Sequence, residues 1–279
     1  MMLCWLIACL CLGSCADDDG ATTNGKGQVL VYLSDITESE DVPDTKAPKT
    51  TWSEGDAIGV YCVEPGKTLG VTNYASNKKY VYESGKFKPA TTDDNIWISR
   101  QGSFTFYAYW PYDAAYSAAD VDPNNLTFTV SADQSVESNR SKSDLLAGQS
   151  FSVDNATGKV TMMFYHMMSD IRFMWTRSGS ASEEYVRALF GRTAKVSLKD
   201  LTSQQVAGET IGDGIRMNVK QAYNSTTGST EYQVYVPPVT IDDSRDLFIP
   251  YDANGEKLSS IKANLGTTGT TKKLERGFT

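Results

Sequence analysis

Apolar and polar residues alternate with a period of two over most of this chain, which is the pattern of half-buried β-strands. Val29, Val31 and Leu33 share one face of the first such segment. The same alternation recurs at 104–110 and 215–219. Other predicted strands lie at 58–63, 80–82, 126–130, 195–198, 232–236, 247–250 and 258–261. The pattern therefore predicts an all-β protein.

The strands fall into two groups. The turn-forming segment 154–158 separates them, and the length suits two domains of about 100–200 residues each. Residues 181–190 carry acidic side chains first and apolar ones afterwards, which predicts a short helix. The prediction is two tandem β-sandwiches, 28–155 and 156–279, with that helix in the second.

The chain begins with an apolar run at 2–12, which is too short for a membrane-spanning helix of roughly 20 residues and fits a secretory signal. Gly13 and Ser14 before Cys15 resemble a bacterial lipobox. Cleavage is therefore expected between Ser14 and Cys15, with lipid attached to Cys15. The lipoprotein signal is then residues 1–14, and the alternatives are an ordinary signal peptide or a chance apolar start.

Residues 15–27 are polar and are predicted to be a flexible tether. The acidic run 17–19 resembles the export signal of lipoproteins on the outer face of the outer membrane, although a solvated linker has the same composition. The expected location is the outer membrane and cell surface. Secretory signals usually start with a positive segment, and none precedes the apolar run, so the recorded signal is expected to be clipped.

Charge and chemistry exclude several functions. A net charge of −8 without a basic cluster argues against nucleic acid as a partner. If three of the five cysteines leave with the signal and Cys15 is lipidated, only Cys62 remains, and we expect it to be buried. The single histidine, His166, is expected to be a hydrogen-bonded core residue. No catalytic residue, metal site or cofactor is predicted, so the chain is not expected to be an enzyme.

Aromatic residues leave one alternative open. Trp52, Trp97, Trp110 and Trp175 lie within apolar segments, which favours packing in the core. Some of them could instead form a flat platform for sugars. The alternative function is therefore a surface glycan-binding lipoprotein.

Four segments, in order, resemble fimbrillin-like proteins of Bacteroidota: TWSEGDAIGVY at 51–61, FYAYWPY at 106–112, SDLLA at 143–147 and MMFYHMMSDIRF at 162–173. The resemblance implies a lipoprotein of two transthyretin-like β-sandwich domains that forms surface fimbriae. It also implies partners, namely other fimbrial subunits, the outer membrane through lipid on Cys15, and surface glycans or proteins.

In assembling family members, a protease removes the first strand, and a strand from the next subunit fills the groove, which is β-augmentation. This implies that Val29, Val31 and Leu33 belong to a displaceable strand. Processing is expected in the acidic, proline-bearing segment 35–51, which offers Lys46 and Lys49 but no Arg. The aromatic strand that usually ends family chains is expected to be missing.

Overall fold

A computed structural model describes residues 21–38, 52–176, 184–264 and 270–276, and these are nearly all β, which confirms the predicted fold class. The one α-helix in these ranges is α1, Glu137–Lys142. The strands of the first part are β1 Val29–Leu30, β2 Tyr32–Glu38, β3 Ala57–Val63, β4 Ala75–Glu83, β5 Lys86–Pro89, β6 Trp97–Ile98, β7 Thr105–Trp110, β8 Leu126–Thr129, β9 Leu146–Asp154 and β10 Lys159–His166. Those of the second part are β11 Ser169–Thr176, β12 Tyr185–Ala188, β13 Thr193–Ser197, β14 Thr202–Gln205, β15 Ile215–Arg216, β16 Asn218–Asn224, β17 Ser229–Val236, β18 Val239–Asp242, β19 Asp246–Tyr251, β20 Ile261–Lys262 and β21 Thr271–Leu274. None of the helices in the described ranges is long and apolar enough to cross a membrane.

The first part of the chain is a sheet that closes on itself in the order β10-β2-β5-β4-β3-β7-β9. All its pairs are antiparallel except β2 with β10. Ser84 and Gly85 both have positive φ in the β4–β5 hairpin, as a two-residue hairpin turn requires. Alternate side chains from every strand fill the interior and form the first core.

The second part builds sheets in the orders β11-β17-β16, β15-β12-β19-β20 and β14-β13-β8, together with the ribbon β18-β21. Their inward side chains form a second core. Tyr61, Val63, Tyr107 and Tyr109 point outward from the closed sheet and pack into this second core. The two parts therefore share one continuous apolar contact.

Backbone pairing also crosses between the parts. Strand β8 precedes the predicted domain boundary but pairs with β13, beyond it. The buried Gln134 side chain acts like one more peptide group, because its Oε1 accepts from Tyr235 N and its Nε2 donates to Tyr235 O, both at 2.8 Å. These contacts satisfy buried polar groups at the junction.

Two local predictions are corrected. The helix predicted at 181–190 is wrong, because Tyr185–Ala188 is strand β12, with Val186 and Ala188 turned into the core. Pairing with β15 and β19 on either side decides its conformation, and residues 181–183 lie outside the described ranges. Strand β10, assigned to the second domain, pairs with β2 and β9 and belongs to the first core. A division at 155/156 therefore falls inside the β9–β10 hairpin.

Candidate functional site

The predicted displaceable strand lies in the wall of the closed sheet. Val29, Val31 and Leu33 are each 0% exposed. Strand β1 pairs with β6, through Val29 opposite Ile98. The chain then continues into β2, which lies between β5 and β10 and so closes the sheet. Removing this segment would expose two sheet edges, which is the condition for accepting another strand.

The groove beneath the strand is apolar. It belongs to the first core, whose fully buried members also include Phe87, Ile96, Ile98, Val160, Met162 and Phe164. Full burial of a Val or Leu side chain is worth about 1.5–3 kcal/mol, so the three side chains contribute on the order of 5–9 kcal/mol before chain entropy is counted. A replacement strand with the same alternation would recover this burial.

The two edges hold β2 unequally. On one side, β2 pairs with β10 from Tyr32 to Glu38, with one register shift. On the other side, the pairing with β5 is limited to Leu33 opposite Phe87. The strand is therefore held mainly by β10 and by its buried side chains.

Backbone groups fix the start of β2. Val31 N donates to Ile96 O, and Tyr32 N donates to Gly158 O, both at 3.0 Å. The Tyr80 hydroxyl donates to Val31 O at 3.2 Å from a buried position, and burial raises the pKa of that hydroxyl. Gly158 has a φ of +80°, and a Cβ there would lie 2.1 Å from Leu30 O. Glycine is required where the β9–β10 turn passes under the strand.

Trp52 closes one end of the first core. Its ring meets Phe87 edge-on at 4.9 Å and Phe164 at 5.5 Å between centroids. Trp110 is buried and lies 6.4 Å from Trp52. These two rings are core residues, as favoured by the sequence pattern, and they offer no flat platform to sugars.

The structure describes only some of the other residues that the sequence singles out. Ser14, Cys15, Lys46 and Lys49 lie outside the described residues. Cys62 and His166 are the residues expected to have structural roles. Cys62 is buried, and burial raises the pKa of its thiol. His166 Nδ1 lies 2.9 Å from both carboxylate oxygens of the buried Asp144.

Sequence reasoning does not locate three contributors to the site. These are β10 as the parallel partner of β2, Trp52 at the end of the core, for which it predicts core packing alone, and Gly158 below the strand. The first two follow from long-range pairing, which periodicity does not encode. A glycine at the end of a turn that starts with Asp indicates a positive φ at Gly158. The sequence does not indicate that the Leu30 carbonyl lies close to it.

Comparison with known proteins gives matches over most of the chain. The family model described as fimbrillin-like matches residues 45–277. A candidate fimbrium subunit of Bacteroides uniformis, Fim1C, is 26% identical over 231 residues, which are 81% of this chain and 65% of that protein. The chain thus spans just under two thirds of the length of this relative.

Two solved structures share the fold. A candidate cell adhesion protein from Bacteroides ovatus gives a TM-score of 0.59 at 21% identity, covering 88% of this chain and 95% of that one. Another from Bacteroides uniformis gives 0.56 at 18% identity, covering 89% and 90%. At these identities the likeness concerns the fold alone.

Proposed function

The chain belongs to the fimbrillin-like family, and we propose that it is a subunit of cell-surface fimbriae that joins its neighbours by strand exchange. The observation that carries this proposal is the position of β1 and β2. The side chains of Val29, Val31 and Leu33 in this segment are fully buried, and β2 closes a sheet whose other strands form a complete groove. A strand from an adjacent subunit would occupy the same groove after 29–38 leaves it.

The proposal includes export and processing. The precursor carries lipid on Cys15 after cleavage behind Ser14 and reaches the outer membrane surface. Cleavage at Lys46 or Lys49 then separates the first strand from the body, while Trp52 and the groove remain with the body. Because a head-to-tail contact of this kind does not close into a ring, repetition gives a filament. Packing of Trp52 and Trp110 in the core does not favour the alternative of glycan binding.

A reversible disulfide that holds the first strand in the sheet tests strand exchange. Val29 and Ile98 are direct cross-strand partners, so the double substitution Val29→Cys/Ile98→Cys places two thiols within disulfide range. The oxidised variant should be cleaved in segment 35–51 yet keep its first strand and remain monomeric. Adding a reductant should restore heat-resistant ladders on gels.

The matched control is Thr127→Cys/Lys195→Cys, which joins β8 to β13 and leaves β1 free. It should polymerise under both conditions. Polymers that form from the oxidised Val29–Ile98 variant, or polymers whose mass spectra contain residues 29–33 in the assembled subunit, would contradict the proposal.

A further inference from the structure

Two arginines face each other on the outer side of the sheet β15-β12-β19-β20. Arg187 in β12 and Arg216 in β15 are register partners, so both side chains leave the sheet on the same side. Tyr185 lies two residues before Arg187 on the same face, and its partner in β19 is Tyr251. Like charges directly opposite each other destabilise a sheet, so this pair requires compensation.

The tyrosines hold both guanidinium groups in place. The Tyr185 and Tyr251 rings stack with centroids 4.7 Å apart and planes 9° apart. Arg216 Cζ lies 4.6 Å from the Tyr185 centroid, and Arg187 Cζ lies 5.7 Å from Tyr185 and 5.9 Å from Tyr251. Stacking against rings fixes a guanidinium group while leaving its N–H edge available for hydrogen bonds.

Asp133, an acidic neighbour of the two arginines, is hydrogen-bonded to Ser135 and not to either arginine. Asp133 is the bridge partner of Arg216, but its carboxylate accepts hydrogen bonds from the Ser135 backbone and hydroxyl. Those bonds, and then the two arginines, hold the pKa of Asp133 below its usual range. No ion pair links Asp133 to either arginine within the part of the chain that the structure describes. Lys257, bridge partner of Tyr251, adds another cation, and Glu184 another carboxylate.

Most guanidinium donors of the pair have no acceptor among the residues that the structure describes. Each guanidinium group carries five N–H donors. Arg187 donates one hydrogen bond, from Nη1 to Gly214 O at 3.4 Å. Arg216 Nε is buried and has no acceptor among the described residues. A carboxylate matches two N–H groups of one guanidinium at once, which makes it the fitting ligand.

We propose that Arg187 and Arg216 bind the carboxylates of an acidic polypeptide segment. Local charge complementarity favours such a partner, because the two guanidinium groups lie on the same side of the sheet at paired positions. A sugar acid is less suited, since Tyr185 lies between Arg216 and Tyr251 and has both ring faces covered. The stretch 35–44 of this chain has suitable chemistry, with five acidic residues and no basic one. Cleavage at Lys46 or Lys49 would release this stretch from a neighbouring copy together with its first strand, so its supply rests on the proposed function.

The test uses a fluorescent peptide of residues 35–44 and the full monomeric chain, with binding followed by anisotropy. The double substitution Arg187→Gln/Arg216→Gln should weaken binding at least about tenfold, because charge-assisted hydrogen bonds are lost. The control Lys67→Gln/Lys142→Gln removes the same charge from exposed positions elsewhere and should leave the affinity unchanged. A peptide with all five acids amidated should not bind.

A second variant leaves both arginines intact. Asp133→Asn removes a carboxylate that would repel the acidic peptide and should tighten peptide binding several-fold, whatever the fate of the glutamine variant. Unchanged affinity in either variant, or tighter binding of oligogalacturonate than of the peptide, overturns the proposal. The assay needs no polymer, so a failure here is distinct from a failure of strand exchange.

Discussion

At the scale of single residues, Asp170 carries the clearest electrostatic cost. Its carboxylate is buried at the start of β11, where Gln233 Nε2 donates to both oxygens at 2.8 and 2.9 Å. Arg172 lies 3.4 Å away. Burial raises the pKa of Asp170 in spite of these partners. The folded protein therefore favours the protonated carboxyl more than the unfolded chain does.

We expect Asp170→Asn to gain stability relative to the wild type as pH rises. Because the folded pKa lies above the unfolded value, the wild-type contribution is complete at low pH and is lost as pH rises through the folded pKa. The difference in Tm between variant and wild type, measured from pH 4 to 7, should grow. The exposed Asp120→Asn serves as the control for the loss of one carboxylate. A difference that shrinks with pH would refute the assignment.

Some residue roles follow from local sequence, and others do not. Cys62 lies in an alternating apolar run, so its burial is predictable. His166 in an apolar strand is correctly expected to be hydrogen-bonded, but its partner Asp144 lies 22 residues earlier. The sequence does not predict the Arg187–Arg216 pair either, because only the pairing of β12 with β15 brings the two arginines together.

At the scale of elements, the period of two predicts most strands because each has one buried face. It does not predict their order in the sheet, because register and partner depend on contacts distant in sequence. Strand β12 shows the limit. Four residues supply too little periodicity to separate a strand from a helix, and the neighbouring strands decide its conformation.

Gly158→Ala should loosen the first strand. The added Cβ would lie 2.1 Å from Leu30 O, so β1 or the turn beneath it must shift. Such a shift should weaken the hydrogen bond from Tyr32 N to Gly158 O. We expect a loss of about 1–3 kcal/mol in the free energy of unfolding and faster hydrogen exchange at the Tyr32 amide.

The control for this substitution is Gly85→Ala. Gly85 has a φ of +83°, close to that of Gly158, but a Cβ there meets nothing within 4 Å. It shares the cost of a positive φ without the clash. Equal effects of the two substitutions on Tyr32 exchange would show that the contact with Leu30 is unimportant.

At the scale of the whole molecule, the two parts are joined more closely than tandem domains on a linker. Strand β8 of the first part pairs with β13 of the second, and the Gln134 side chain hydrogen-bonds to the Tyr235 backbone. The closed sheet also packs its outer tyrosines into the second core. We propose that the body moves as one unit when the first strand leaves. Exchange would then change the groove without separating the two parts.

Processing should decide whether the lipid anchor stays with the body. If Cys15 is lipidated and cleavage occurs at Lys46 or Lys49, cells fed a clickable palmitate should label the precursor but not the assembled fibre. Lys46→Gln/Lys49→Gln should keep the label and remain outside fibres, because its first strand cannot leave. Lys26→Gln/Lys67→Gln removes equal charge on either side of the segment and should be processed normally. Labelled fibres would mean that the strand is released without shedding the anchor, and an unlabelled precursor would exclude Cys15 as the lipidation site.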